Sequence, residues 1–204
     1  IIVGAGSAGC VLANELSADP SCEVLLLEAG PMDKSFFIHM PAGVYRVFRD
    51  NSLNWNYFTD REKALNGREI YTPLGRVVGG SSSINSMVYM RGHRIDYDLW
   101  AKDFDLADWE FKNCLPYFIA GENYKTSNNS WRGKNGRLEV KQADYPDPLF
   151  DSFLEAGKQS GQGYSEDLNG AKPEGLARLD TTILNGKRCS AASAHLKPAL
   201  ERRN

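Results

Sequence analysis

Three glycines with the spacing of a phosphate-binding turn follow a short apolar run at the start of the chain, within residues 1–9. In such a pattern Gly4 allows a tight turn off a strand, Gly6 leaves room for a pyrophosphate against bare backbone, and Gly9 lets the next helix pack closely on the sheet. That helix would direct free N–H groups and the positive end of its dipole at the phosphates. The pattern predicts a dinucleotide site, and a glycine-rich turn without a ligand is the alternative.

The residues around this motif favour a βαβ unit. Apolar residues at 10–13 and Leu16 have helical spacing, and residues 23–27 predict a second strand. Glu28 ends that strand nineteen residues after Gly9, where a carboxylate accepts hydrogen bonds from a ribose diol and disfavours a 2′-phosphate. Because the first strand starts at Ile1 without a lead-in, we expect the natural N-terminus to lie upstream.

A second glycine-rich stretch occupies residues 75–85. Gly79 and Gly80 offer backbone N–H groups without bulky side chains, and three serines and Asn85 follow them, so the stretch could wrap a phosphate or a flavin edge. A small-residue turn between two elements is the alternative. Two glycine elements in one chain favour a flavin dinucleotide over an enzyme that uses only a nicotinamide cofactor, since the latter needs one such motif.

Composition excludes several other classes of protein. The 204 residues carry 24 Lys and Arg against 26 Asp and Glu without a basic block, so a nucleic-acid partner is not expected. No apolar run reaches the roughly 20 residues of a membrane span. The four cysteines have no close spacing, so a local zinc site or redox pair is excluded, and thiols in a reducing compartment are expected.

Beyond the first βαβ unit, the pattern alternates strands and helices. We expect an irregular connection over 31–51, a strand at 54–59, a turn at 66–67, and helices after Asp96 that Pro116 kinks or interrupts. A polar surface loop is predicted for 128–136. A helix is predicted for 148–158, with Leu149, Phe150, Phe153 and Leu154 facing inward. Trp55 and Tyr57 fit either core positions or flavin stacking.

Several segments together resemble the glucose-methanol-choline (GMC) flavin oxidoreductase family. The similar segments, in order, are IIVGAGSAGCVLANELSADP, VLLLEAG, HMPA, NWNY, GRVVGGSSSINSMVYMRG, CLPYF, DLNG and KRCSAASAHLKPAL. The resemblance covers nearly the whole chain and is strongest to choline dehydrogenases and related alcohol dehydrogenases. It implies an α/β, Rossmann-like FAD-binding domain with part of an interleaved cap region. It also implies FAD-binding segments within 1–95, a helical cap over 96–160 and a return segment over 161–204.

The resemblance also implies which residues contact the cofactor. Gly4, Gly6, Ser7, Ala8 and Gly9 would bind the FAD pyrophosphate. Glu28 and Ala29 would bind the adenosine ribose. The remaining implied contacts are Val78, Gly80, Ser81, Asn85, Ser86 and Val88. Some relatives attach the flavin through a histidine, but the matching position here is Ile84, so the resemblance predicts non-covalent FAD.

The chemistry implied by the resemblance is oxidation of a primary alcohol, choline-like or other, by hydride transfer to flavin N5. The catalytic base of relatives is a histidine that would lie beyond Asn204, so we assign no catalytic residue and expect His39, His93 and His195 to be structural. A flavin oxidase that uses dioxygen, an FAD-containing hydroxynitrile lyase and a non-catalytic partial cofactor-binding module are the alternatives. The electron acceptor stays open, and so does the location, which could be cytoplasmic, membrane-associated or mitochondrial.

Overall fold

A computed structural model describes residues 1–126 and 129–204, which divide into two compact units. The first unit contains Ile1–Met87 and Ile183–Asn204, and the second contains Val88–Thr182. The resemblance implied a cofactor segment, a cap segment and a return segment. The bounds and roles of these three segments stay predictions.

Short strands and short helices alternate along the chain. The strands are β1 (Ile2–Val3), β2 (Leu26–Leu27), β3 (Tyr57–Phe58), β4 (Tyr71–Thr72), β5 (Val88–Tyr89), β6 (Glu122–Tyr124), β7 (Leu138–Gln142), β8 (Asp180–Thr181), β9 (Ile183–Leu184) and β10 (Lys187–Arg188). The α-helices are α1 (Ser7–Leu16), α2 (Phe36–His39), α3 (Val44–Val47), α4 (Arg94–Asp103), α5 (Phe111–Gly121), α6 (Pro148–Gln159) and α7 (Lys197–Ala199). The predicted α/β class is confirmed.

In the first unit, β1 and β2 pair in parallel around α1, as a βαβ beginning requires. Buried residues of β1 and α1 pack against the segment 191–196, and the apolar cluster comprises Ile2, Ala5, Cys10, Ala13, Val78, Ala191, Ala192 and Leu196. A second cluster comprises Ile38, Val47, Leu53, Val77 and Ile84. Val77 and Val78 therefore point into different clusters and fix the backbone immediately before Gly79.

The first unit also contains a hairpin formed by β3 and β4. Strands β3 and β4 pair antiparallel, and Asn66 and Gly67 between them both have positive φ, at 58° and 71°. The predicted turn is therefore confirmed, because this backbone conformation favours Asn and Gly. The predicted irregular connection over 31–51 is wrong in part. It contains α2, a 3₁₀ turn at Pro41–Gly43 and α3, whose inward residues Ile38 and Val47 are buried in the second cluster.

The second unit is built on the sheet β5-β8-β7-β6, in which only β6 and β7 pair in parallel. Helix α5 runs through Pro116 without interruption, contrary to one of the two predicted outcomes. Phe111 and Phe118, on either side of the proline, both contact Tyr97 of α4, which holds the two halves of the helix. The predicted inward face of α6 is wrong at Leu149 and Phe153, which are exposed, because the close approach of α6 to Leu176 falls at Gly157.

The predicted surface loop 128–136 is wrong at Arg132, which is buried; Asn128 itself lies outside the described residues. The Arg132 guanidinium donates to Glu122 Oε1 at 2.8 Å, to Asp167 Oδ1 at 2.7 Å and to Asp180 Oδ2 at 2.8 Å. Burial lowers the pKa of Arg132, but hydrogen bonds and charge from Glu122 and Asp180 outweigh it and raise that pKa. Opposite charges therefore compensate for burying the arginine.

None of the helices in 1–126 or 129–204 is long and apolar enough to cross a membrane. Over the same ranges, no group of three His, Cys, Asp or Glu side chains is arranged to hold a metal ion.

Candidate functional site

The glycine turn after β1 has the geometry that its spacing predicts. Gly4 has φ of +96°, which disfavours any residue with a Cβ. A Cβ on Gly9 would collide with the carbonyl oxygen of Gly4, so this glycine sets the distance between α1 and β1. A Cβ on Gly6 would meet no atom within 4 Å, so open space lies in front of this residue at the N-terminus of α1.

The second glycine stretch packs directly on the first. The Gly79 N–H donates to the Ala5 carbonyl at 2.7 Å, and a Cβ on Gly80 would lie 2.7 Å from the Gly6 Cα. Gly79 and Gly80 both have positive φ, at 92° and 54°. The sequence requires glycine at position 80 for two reasons, the backbone conformation and the close approach of Gly6.

Glu28 holds the first glycine turn in place. Its Oε2 accepts a hydrogen bond from the Ala5 N–H at 2.7 Å, and its Oε1 accepts one from the Gly30 N–H at 2.8 Å. A carboxylate has about four acceptor positions, so each oxygen keeps capacity for a further donor such as a ribose hydroxyl. The carboxylate thus has a structural task that the sequence did not indicate, in addition to its predicted contact with a ligand.

The two glycine stretches and the end of β2 line one cavity of about 640 Å³. Seven of the residues proposed from the resemblance line it, namely Gly4, Gly6, Ser7, Glu28, Ala29, Gly80 and Ser81. None of the lining residues is basic, and α1 has no acidic residue in its first turn. Backbone N–H groups and the helix dipole are therefore the positive features available to an anion here.

The other proposed contacts lie outside the cavity lining. Ala8 is exposed and Gly9 buried on α1, and Val78 belongs to the apolar core, with its N–H donating to Pro31 O at 3.0 Å. Asn85 and Ser86 are exposed, one turn beyond Ser81. Val88 belongs to the second unit. Their roles in cofactor binding stay predictions.

Trp55 is the lining residue that sequence reasoning left undecided. It is 41% exposed, which excludes the core position that its alternating spacing allowed. Its ring stacks on Tyr57 with centroids 6.0 Å apart and an interplanar angle of 5°, and the Arg76 guanidinium lies 5.5 Å from the Trp55 ring centroid. The pattern NWNY gave no sign of which side of the strand would face the cavity.

Of the three histidines, His39 and His93 form hydrogen bonds within the protein and His195 is half-buried. His39 Nε2 lies 2.6 Å from the Asp33 carbonyl oxygen. His93 caps α4 by accepting a hydrogen bond from the Ile95 N–H at 3.3 Å, and it lies 3.5 Å from Glu174 Oε1. His195 is half-buried in the π-helical segment Ala192–Leu196. That none of the three is a catalytic base stays a prediction.

A parallel βαβ beginning with a glycine turn and a second glycine stretch packed on it defines a dinucleotide-binding oxidoreductase fold. The chain belongs to the GMC oxidoreductase family, whose N-terminal domain model matches residues 1–204. GMC oxidoreductases are FAD flavoproteins. This confirms the family resemblance and the class of cofactor.

Two choline dehydrogenases and one solved oxidase structure are similar to this chain. The chain is 46% identical over 211 residues to human mitochondrial choline dehydrogenase, covering all of this chain and 35% of that protein. It is 45% identical over 204 residues to an oxygen-dependent choline dehydrogenase of Rhizobium etli, covering 37% of it. The crystal structure of pyridoxine 4-oxidase from Mesorbium loti superposes with a TM-score of 0.93 at 36% identity, over 99% of this chain and 40% of that one. The chain thus spans about a third of the length of the curated relatives it matches.

The cavity fits FAD on its own chemistry. Open space at Gly6 admits a phosphate to the helix N-terminus, and the spare acceptor capacity of Glu28 suits a ribose diol. Ile84, within the second glycine stretch, is 1% exposed and has no nucleophilic atom, and non-covalent attachment of FAD stays a prediction.

Proposed function

We propose that this chain is the FAD-binding part of an enzyme that oxidises a primary alcohol, choline-like or other, to the aldehyde. The observation that carries the proposal is the contact between the two glycine stretches. Because Gly80 approaches the Gly6 Cα so closely, the cavity is lined by bare backbone on two sides. A long, doubly charged dinucleotide requires such a surface.

Five of the lining residues have a physical role in this proposal. The N–H groups at the start of α1, with Gly6 and Ser7, bind the pyrophosphate, and Glu28 with Ala29 binds the adenosine ribose. The exposed Trp55 ring offers an apolar face at the same cavity. Bound FAD supplies the hydride acceptor for alcohol oxidation. The residues of this chain bind and orient the cofactor, and the catalytic base is expected from a histidine outside this chain.

The first experiment is reconstitution with FAD. We expect a yellow protein that carries FAD, quenches flavin fluorescence and releases all of its flavin into the supernatant after acid precipitation, because Ile84 cannot form a covalent link. Binding of NAD without FAD would contradict the proposal. Flavin that stays with the precipitate would contradict non-covalent attachment alone.

Turnover then separates the remaining alternatives. Anaerobic choline or another primary alcohol should bleach the flavin of the purified whole enzyme of which this chain is the FAD-binding part, since reduction removes the visible absorbance. A hydroxynitrile lyase would leave the flavin oxidised, and a binding module would bind FAD without turnover. Hydrogen peroxide formed with dioxygen distinguishes an oxidase from a dehydrogenase with another acceptor. The relative from Rhizobium etli is described as oxygen-dependent, which gives the oxidase alternative specific support.

A further inference from the structure

Arg188, at the end of β10, carries a buried charge beside the second glycine stretch. Its side chain is almost wholly buried, at 3% exposure for the residue. Nε donates to the Ile38 carbonyl at 2.7 Å, and Nη1 donates to the Ser82 carbonyl at 3.1 Å and to Asn85 Oδ1 at 2.8 Å. These acceptors are all neutral.

The charge on Arg188 is not neutralised within the part of the chain that the structure describes. No charged group among those residues interacts with Arg188, and Nη2 is buried without a hydrogen-bond partner among them. Burial lowers the pKa of Arg188 to about 10, so the group stays protonated at neutral pH. This differs from Arg132 of the second unit, which three carboxylates surround. Burying a charge without a counter-charge is costly in free energy.

The contact with Arg188 fixes the orientation of the Asn85 side-chain amide. Asn85 Oδ1 also accepts a hydrogen bond from the Met87 N–H at 3.0 Å. A guanidinium and a backbone N–H can only donate, so the oxygen of the amide faces both, and its NH₂ group is turned away from them. Asn85 is exposed, and its N–H donates to the carbonyl of Ser81, a cavity-lining residue, at 2.8 Å. The amide therefore presents donors one helical turn beyond the cavity wall.

We propose that Arg188 is a positioning residue of the cofactor site, which orients the Asn85 NH₂ group as a hydrogen-bond donor toward the flavin end of FAD. The inference rests on the proposed function. Reduction places negative charge on the flavin ring, and a fixed donor backed by a buried cation favours that charge. Arg188 would thus tune the reduction potential without touching the cofactor.

The test is a double-mutant cycle in the purified protein, with Arg188→Met, Asn85→Ala and the pair. The readouts are the FAD dissociation constant, the midpoint potential of bound FAD and the melting temperature of the apoprotein. We expect each single change to weaken FAD binding about tenfold, the scale of one lost hydrogen bond to a charged network. We also expect a more negative midpoint potential in each. Because both changes remove the same donor, the pair should lose little more than either one.

Two further variants control the experiment. Arg202→Met is the matched control, because Arg202 likewise donates to a backbone carbonyl and to an Asn side chain, those of Asn14, at the other end of α1. It should lower apoprotein stability without changing the potential. Arg188→Lys keeps the charge but loses the planar fork, and it should recover part of the potential while binding FAD more weakly than wild type. It also serves as the test variant if Arg188→Met does not fold.

The outcomes separate the two levels of proposal. If wild-type protein binds FAD and Arg188→Met keeps its affinity and potential, the positioning role is overturned and the proposed function stands. Fully additive losses in the pair would also overturn it, because Arg188 would then act independently of Asn85. If wild-type protein fails to bind FAD, the proposed function itself is wrong.

Discussion

Alanine at Gly6 should weaken FAD binding and leave the stability of the apoprotein nearly unchanged, whereas alanine at Gly9 should destabilise the apoprotein itself. Gly6 has φ of −75°, which alanine adopts readily, and its Cβ would point into open space. We expect the free energy of unfolding of the apoprotein to change by less than about 0.5 kcal/mol. If the pyrophosphate occupies that space, the methyl group removes close backbone contacts worth about 1.5–3 kcal/mol, and FAD affinity falls about ten- to hundredfold.

Gly9→Ala is the matched change three residues along the same turn. Its Cβ would collide with the Gly4 carbonyl oxygen and lie 3.1 Å from the Gly4 carbonyl carbon and 3.5 Å from Ile2 Cγ2. Relieving this overlap requires α1 to move off β1, and overpacking of this kind costs about 1–3 kcal/mol. We therefore expect a clear loss of stability in the apoprotein, before any cofactor is added.

The assays are urea unfolding of the apoprotein and titration of FAD by quenching of flavin fluorescence. Wild-type affinity in Gly6→Ala would refute a pyrophosphate at this position. Unchanged unfolding in Gly9→Ala would refute the close contact between α1 and β1. A result in which both variants lose stability equally would mean that the open space at Gly6 is closed in solution.

Three further predictions concern glycine conformation, a buried ion cluster and a buried thiol. Gly80→Ala should destabilise the protein by about 2–4 kcal/mol, and the control Gly67→Ala by about 1–2 kcal/mol. Both glycines have positive φ, but of the two only Gly80 lies against the backbone of another segment. Equal losses of stability in urea unfolding would contradict the contact between Gly80 and the first glycine stretch. Glu122→Gln should lower the free energy of unfolding by about 3–5 kcal/mol, because it leaves the buried Arg91 and Arg132 without their full counter-charge. The control Glu69→Gln breaks an exposed ion pair with atoms 3.4 Å apart and should cost less than about 1 kcal/mol. A small loss of stability in Glu122→Gln, measured by thermal unfolding, would show that the cluster is hydrated. Burial raises the pKa of the Cys10 thiol from 9.0 to about 11, so the thiol ionises at lower pH in the unfolded chain than in the folded protein. The free energy of unfolding should therefore fall as the pH rises from 9 to 11, and Cys10→Ala should remove this part of the pH dependence. The same pH dependence of stability in both proteins would exclude a contribution from Cys10.

Local pattern predicted the backbone of the site well. Gly4, Gly79 and Gly80 have the positive φ values that glycine permits, and the turn at Asn66 and Gly67 formed where the dipeptide indicated. Such features depend on a few neighbouring residues, so the sequence encodes them directly. Periodicity was less reliable for burial, as Leu149 and Phe153 are exposed on α6 although their spacing is helical.

The sequence by itself determined the α/β class, the glycine turn with Glu28, the second glycine stretch and the family. Only the tertiary structure decided how these parts act together. It places Gly80 against Gly6, turns Glu28 onto the Ala5 N–H, and links Arg188 to Asn85 across more than a hundred residues of chain. Spacing along a chain specifies local conformation and periodicity, whereas contacts between distant segments depend on how the elements pack. The burial of the Arg188 charge and its contact with Asn85 are therefore set by tertiary packing and not by the residues next to Arg188 in the sequence.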